Sequence, residues 1–204
     1  MSCFSKVSLC LVAIMPLRPA FSQQVLPPTP RAETFIVDSP PGWTSAYTDT
    51  SPARQVLVYS KSGETPHRWT EIAVLTVTSE PTHGVQARAE QFIASAAKGC
   101  NGPLRSIGPT FLEDNAYTAS VLLTWCNTMA GEVFGELAAT KIVEIDGGYA
   151  MFQRGWRYAA LSPGSMPLPK ETIDEGLHFL ARSQVCSRSR SGSVCPPATA
   201  DTHR

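Results

Sequence analysis

Trp69, Glu71, Arg154, Trp156 and Arg157 are the residues whose types best suit a recognition surface. Trp and Arg dominate binding hot spots because they combine large contact area with fixed hydrogen-bond geometry. Glu64 and His67 lie just upstream, in a polar stretch over 60–68. With Glu71 they make the densest local group of acid and base side chains. Two chemistries could use that group. Acids near Glu64 and Glu71 could run a hydrolysis, or the whole set could hold a partner without turnover. The ordinary use of these residue types competes with both: tryptophans in a core, charges paired at a sheet edge, His67 in a solvated loop.

Other chemistries find less support. His67, His83, His178 and His203 are scattered without a close-spaced pair, so no metal site is predicted. No Gly-x-Ser-x-Gly elbow is present for a serine nucleophile. Gly147-Gly148 lacks the Gly-x-Gly-x-x-Gly context of a phosphate cradle, so no cofactor is expected. Any two carboxylates can meet in space, and nothing picks out a glycosidase-like pair. No catalytic residue is therefore assigned. Ser187-Arg188-Ser189-Arg190 could touch an acidic surface, but a solvated tail is the common outcome for such a run.

The N-terminus points to export. Lys6 precedes an apolar run over 7–17 that is too short to span a bilayer. Ala20-Phe21-Ser22 offers small residues where a signal peptidase reads, so residues 1–22 are expected to be a cleaved signal peptide and the mature chain to begin at Gln23. Leu9 stands where a lipoprotein site at Cys10 would need a small residue. The full chain has 17 basic and 17 acidic residues, and the signal carries away Lys6 and Arg18, leaving 15 against 17. That balance argues against nucleic acid as a partner. No later stretch is long and apolar enough for a membrane helix.

Four cysteines remain, Cys100, Cys126, Cys186 and Cys195. An even count in an exported chain reads as disulfides rather than nucleophiles. Three pairings are open, and Cys100 with Cys126 and Cys186 with Cys195 are favoured. The first pair joins a helix end to a strand end. The second closes a short tail loop and is expected to matter little for the fold.

The elements that must position the candidate residues are legible by period and punctuation. Pro27, Pro28 and Pro30 mark a linker over 23–32. A short strand follows over 33–37. Pro40-Pro41-Gly42 turns the chain, Trp43 is expected to plug the core, and 46–52 reads as loop. Strands over 56–59 and 69–77 flank the stretch 60–68, where Gly63 and Pro66 interrupt. In the second strand Trp69, Ala73, Leu75 and Val77 share one face, with Ile72 and Val74 on the other, so both faces are expected to be covered. A helix over 84–98 carries a stripe of Val85, Ala89, Phe92, Ile93 and Ala96. Strands are predicted over 104–112, 117–126 and 133–145, with a bulge at Gly135. Asp146-Gly147 signals a tight hairpin into a strand over 149–161. A second helix over 170–185 buries Ile173, Leu177, Leu180 and Ala181, and the tail over 186–204 is expected to be mobile apart from any Cys loop. The sum is one α+β domain over 33–185: an antiparallel twisted sheet of about six strands with two amphipathic helices packed on it.

Several of these stretches resemble a known group. Gly63, Glu64, Trp69, Thr70 and Glu71 before a strand, Cys100 and Cys126 after a helix and a strand, and Trp156-Arg157 closing a long hairpin are similar to small exported proteobacterial proteins of uncharacterised function. The fold those proteins resemble is the PsbP-like α/β/α sandwich, shared by lumenal photosystem accessory proteins and a nuclear import factor. The resemblance covers about 35–185. It implies a scaffold and is silent on chemistry. The expectation is a periplasmic or secreted, non-enzymatic binding or accessory module of the cell envelope. It would engage an envelope protein or ligand through the sheet and 60–68. The alternative is a periplasmic hydrolase with acids near Glu64 and Glu71.

Overall fold

The computed structural model describes residues 33–195 apart from 52, 66, 82 and 161–166. The expected signal peptide and linker over 1–32, and the tail beyond 195, lie outside the described residues. In chain order the elements are β1 (Glu33–Ile36), β2 (Trp43–Thr50), β3 (Arg54–Lys61), β4 (Glu71–Ser79), α1 (Gly84–Ala97), β5 (Arg105–Asp114), β6 (Tyr117–Cys126), β7 (Phe134–Ile145), β8 (Gly148–Ala159), α2 (Lys170–Arg182) and β9 (Gln184–Ser187).

Seven strands form one antiparallel sheet in the order β2-β3-β4-β8-β7-β6-β5. The chain builds it from both edges. A meander lays down β2, β3 and β4. α1 then carries the chain to the far edge, and β5 to β8 meander back until β8 zips onto β4. That closure places Trp156 opposite Glu71 and Arg154 opposite Ala73. Residues more than 80 positions apart thus become neighbours on the central strands.

Each face of the sheet carries one helix. Ala89, Phe92 and Ile93 of α1 pack on Leu122, Ile142, Tyr149 and Met151. Ile173, Phe179 and Leu180 of α2 pack in the larger core with Leu137, Ala139, Ala150 and Phe152. Tyr149 and Met151 alternate with Ala150 and Phe152 along β8, so the two helices lie on opposite faces. Double coverage explains why the central strands read as nearly continuous apolar runs. Among the described residues no helix is long and apolar enough to cross a membrane.

The α+β class stands, with more strands than the six expected. β2 occupies a stretch read mostly as loop. It is an edge strand with most of its side chains in water, so its sequence has no reason to alternate apolar with polar. The second strand of the hairpin begins at Glu71, which leaves Trp69 ahead of it rather than on the Ala73 face. α2 ends at Arg182 rather than running to Val185. Gln184–Ser187 pairs with β1 to form a separate two-stranded sheet. Leu177 and Ala181 face solvent, and Gly176 and Phe179 take their expected places. Gly135 is no bulge: it pairs in register with Tyr158. It is glycine because a Cβ there would meet the carbonyl oxygen of Cys126 at 2.5 Å. The cysteines stand in the favoured pairs, with Cα separations of 5.4 Å for Cys100 and Cys126 and 5.2 Å for Cys186 and Cys195, as a disulfide requires.

Candidate functional site

The connection between β3 and β4 is a folded miniature, not a slack loop. Gly63 turns at φ 86°, a conformation that glycine adopts without strain. Thr65 and Arg68 exchange backbone hydrogen bonds of 3.1 and 3.0 Å. Glu64 Oε1 accepts from the Thr70 amide at 3.1 Å and from its hydroxyl at 2.6 Å. Glu64 is therefore a strut that fixes the return of the chain into β4.

That strut delivers Trp69 to the end of β8. The Arg157 guanidinium carbon lies 4.0 Å from the Trp69 ring centre and 4.4 Å from that of Phe134. The cation is stacked between two aromatic rings, which suits a planar, weakly hydrated guanidinium. Its in-plane donors are also used. Nε donates to Glu136 Oε1 at 2.8 Å and Nη1 to the His67 carbonyl at 3.2 Å. Gly155 is buried and lets Ile72 and Trp69 pack close over β8: a Cβ there would meet Ile72 Cγ2 at 2.9 Å, with the Trp69 indole next at 3.5 Å. Around this stack lies a groove of about 470 Å³, lined in part by Glu64, His67, Arg68, Trp69, Phe134 and Tyr158. Burial, with Glu136 adding to it, pushes the Tyr158 pKa up to about 12, so its hydroxyl stays protonated and donates to the Cys126 carbonyl at 2.5 Å.

The other three candidates belong to the opposite face. Glu71 and Arg154 project from β4 and β8 beneath α2, on the face of Ala73 and Phe152. Glu71 receives Lys61 Nζ on Oε1 and Arg154 Nη2 on Oε2, each at 2.5 Å. The Arg154 guanidinium carbon lies 4.0 Å from the Trp43 ring centre and 5.3 Å from that of Trp156. Burial lowers the Arg154 pKa, and Glu71 opposes that shift. Trp156 is a core residue, 3% exposed, with its ring against Gly176 of α2.

The structure thus splits the seven candidates. Glu64, His67, Trp69 and Arg157 gather at the groove. Glu71, Arg154 and Trp156 gather under α2. The split follows from the pleat, because 154 and 156 share a face that 157 cannot. Phe134 and Tyr158 line the groove and Glu136 holds its Arg157, none of them having been singled out beforehand. A signal for Glu136 did exist. The two-residue turn at Asp146-Gly147 fixes the register of β7 on β8, and counting back from it pairs Glu136 with Arg157. Among the described residues no three His, Cys, Asp or Glu side chains converge as a metal site would need.

No protein-family model matches the chain, and comparison with curated proteins finds no match. Among solved structures it is similar to LpqN, a protein involved in cell envelope biogenesis of Mycobacterium tuberculosis. The identity is 15%, the match covers 77% of this chain and 84% of that one, and the TM-score is 0.42. A likeness of that size carries no functional argument.

Proposed function

We propose that this protein is an exported, non-enzymatic binding module of the cell envelope that captures a partner in the groove beside 60–68. The observation that carries this reading is the stacked trio Phe134, Arg157 and Trp69. Side chains that are already ordered lose little entropy when a partner arrives, which is what makes aromatic and Arg anchors effective. His67 and Arg68 supply an exposed polar rim, as binding patches have. The paired cysteines suit a periplasmic or secreted location. A helix on each face of an antiparallel sheet supports the PsbP-like accessory scaffold that the sequence motifs resemble.

The hydrolase alternative loses ground at Glu71, both of whose oxygens hold cations. Glu64 Oε1 holds Thr70, and its Oε2 is buried without a hydrogen-bond partner among the described residues, so of the two carboxylates only Glu64 keeps an oxygen open. A general acid or base needs a free proton site near its working pH.

A photo-crosslinking residue placed at Arg68 tests the reading in envelope extract, with one at Glu113 on the far edge strand as control. Adducts specific to position 68, lost on Trp69→Ala while the melting temperature holds, are expected. Equal labelling from both positions would reject the groove. Turnover in a broad hydrolase screen, abolished by Glu71→Gln without unfolding, would reverse the ranking.

A further inference from the structure

Arg154 is an uncommon residue to find under a helix. It is 5% exposed. Nη2 is held by Glu71, and the plane of the group lies near two indole rings. Nη1 is buried and has no hydrogen-bond partner among the described residues. A buried guanidinium nitrogen without an acceptor is costly, and such atoms call for an explanation. Glu71 does not balance the charge, because one carboxylate serves both Lys61 and Arg154. The three groups together carry one positive charge.

Beside Arg154 lies a cavity of about 410 Å³, a volume in the range of small-molecule sites. Pro40 and Phe179 give it apolar wall. Arg182 and Asp38 also line it, but they neutralise one another at 2.7 Å. Glu175 is the remaining charged group of the wall. It is exposed and forms no ion pair among the described residues. It is nevertheless close enough to act on Arg154 electrostatically. The cavity is therefore lined by a cation that has one unfilled, buried donor, by an unpaired carboxylate and by apolar surface.

We propose that this cavity binds a small zwitterion of the amino-acid type, its carboxylate taken by Arg154 and its ammonium by Glu175. A plain anion fits less well, since Glu175 would repel it. A plain cation fits less well, since Arg154 would. Charge-assisted hydrogen bonds to both ends hold the ligand's polar groups, and Pro40 and Phe179 pack its side chain. This site is separate from the groove and does not depend on it.

Three matched probes test the proposal on the full chain: L-leucine, 4-methylpentanoate, which lacks the amine, and 3-methylbutylamine, which lacks the carboxylate. Binding is read from ¹H–¹⁵N shifts of the Arg154 Nε–H group and the Asp38 and Glu175 amides. Leucine should bind at least about tenfold more tightly than either truncated probe. Glu175→Gln, on the exposed side of α2, should erase the preference over 4-methylpentanoate and leave that acid's own affinity no weaker. Absence of shifts with all three probes at millimolar concentration would overturn the proposal, and so would equal affinities. A third outcome is that Glu175 itself closes onto Arg154. It would appear as a lower melting temperature for Glu175→Gln with no probe-induced shift, and would likewise overturn it.

Discussion

Gly176→Ala sets two known effects against each other on the helix that roofs Arg154. Gly176 sits mid-way along α2 and is buried. Helix propensity alone favours Ala over Gly by about 1 kcal/mol. The structure opposes the change. A Cβ at 176 would lie 2.4 Å from Trp156 Cη2, 3.2 Å from its Cζ3 and 3.4 Å from the Ala139 Cβ. Carbon atoms prefer about 3.5–4.0 Å, so the first contact is too close by roughly 1 Å. Trp156 is 3% exposed and its ring is flanked by the Arg154 guanidinium, which leaves it little room to move. Overpacking of this kind costs about 1–3 kcal/mol, and an overlap this deep belongs in the upper half of that range. The two effects leave a net loss of about 1–2 kcal/mol. Urea unfolding with a common m-value measures it. Trp156→Phe supplies the control, because it removes the ring atoms in question. The indole Nε1 has no hydrogen-bond partner among the described residues, so that change breaks no hydrogen bond recorded there. The double variant should be more stable than the sum of the single effects by about 1 kcal/mol or more. Gly176→Ala at or above wild-type stability, or strict additivity, would mean that α2 does not rest on Trp156.

The other predictions concern staples, a turn and alkaline pH. Loop-closure entropy over 26 residues gives the Cys100–Cys126 link about 3.5 kcal/mol, and over 9 residues gives Cys186–Cys195 about 2.6. Cys100→Ser should therefore cost more than Cys195→Ser, but the second is no longer expected to be neutral, because Cys186 lies in a strand whose last three residues are buried. Unfolding under oxidising conditions ranks the two, and non-reducing peptide mapping checks the pairs. Asn115 and Ala116 both sit at positive φ, 52° and 69°, in the β5–β6 turn. Ala116→Gly should add up to about 1 kcal/mol by relieving the Cβ strain, and a loss in denaturant midpoint would contradict it. Tyr158 keeps its proton to about pH 12 when folded, against 10 when free. Between those values the unfolded chain releases a proton that the folded chain holds, so this contribution to stability is complete below pH 10 and is lost as pH rises toward 12. The stability gap between wild type and Tyr158→Phe should shrink across that window in urea midpoints, and a constant gap would refute the assignment.

What could be read from the chain alone was what local pattern encodes. The long hairpin was legible because Asp146-Gly147 dictates both the turn and every pairing that follows from it. α1 was legible because its stripe keeps helical spacing. β2 was not, since an edge strand exposed on nearly all sides leaves no periodic trace. β9 was not, since its partner β1 lies some 150 positions upstream and no local signal reports so distant a pairing. Trp69 was misplaced because strand parity was applied to a residue that stands outside the strand.

The site under α2 was closer to legibility than it looked. Arg154 follows Ala150 and Phe152 at even spacing on β8, and Glu71 precedes Ala73, Leu75 and Val77 at even spacing on β4. Each charge therefore stands on the apolar face of a strand covered on both sides. A charge in that position has two physical outcomes: the face ends there, or the charge finds an opposite partner across the sheet. Once the fold sets β4 beside β8, the two charges of opposite sign meet at 2.5 Å. Parity cannot count donors, however. A guanidinium offers five N–H groups, Glu71 is shared with Lys61, and whether Arg154 is left with an empty position depends on what α2 and 38–41 place above it. That part is decided only by the assembled layers. For that reason residue types could point to 60–68 and to a mixed set of charged and aromatic residues, whereas the empty position on Arg154 required the fold.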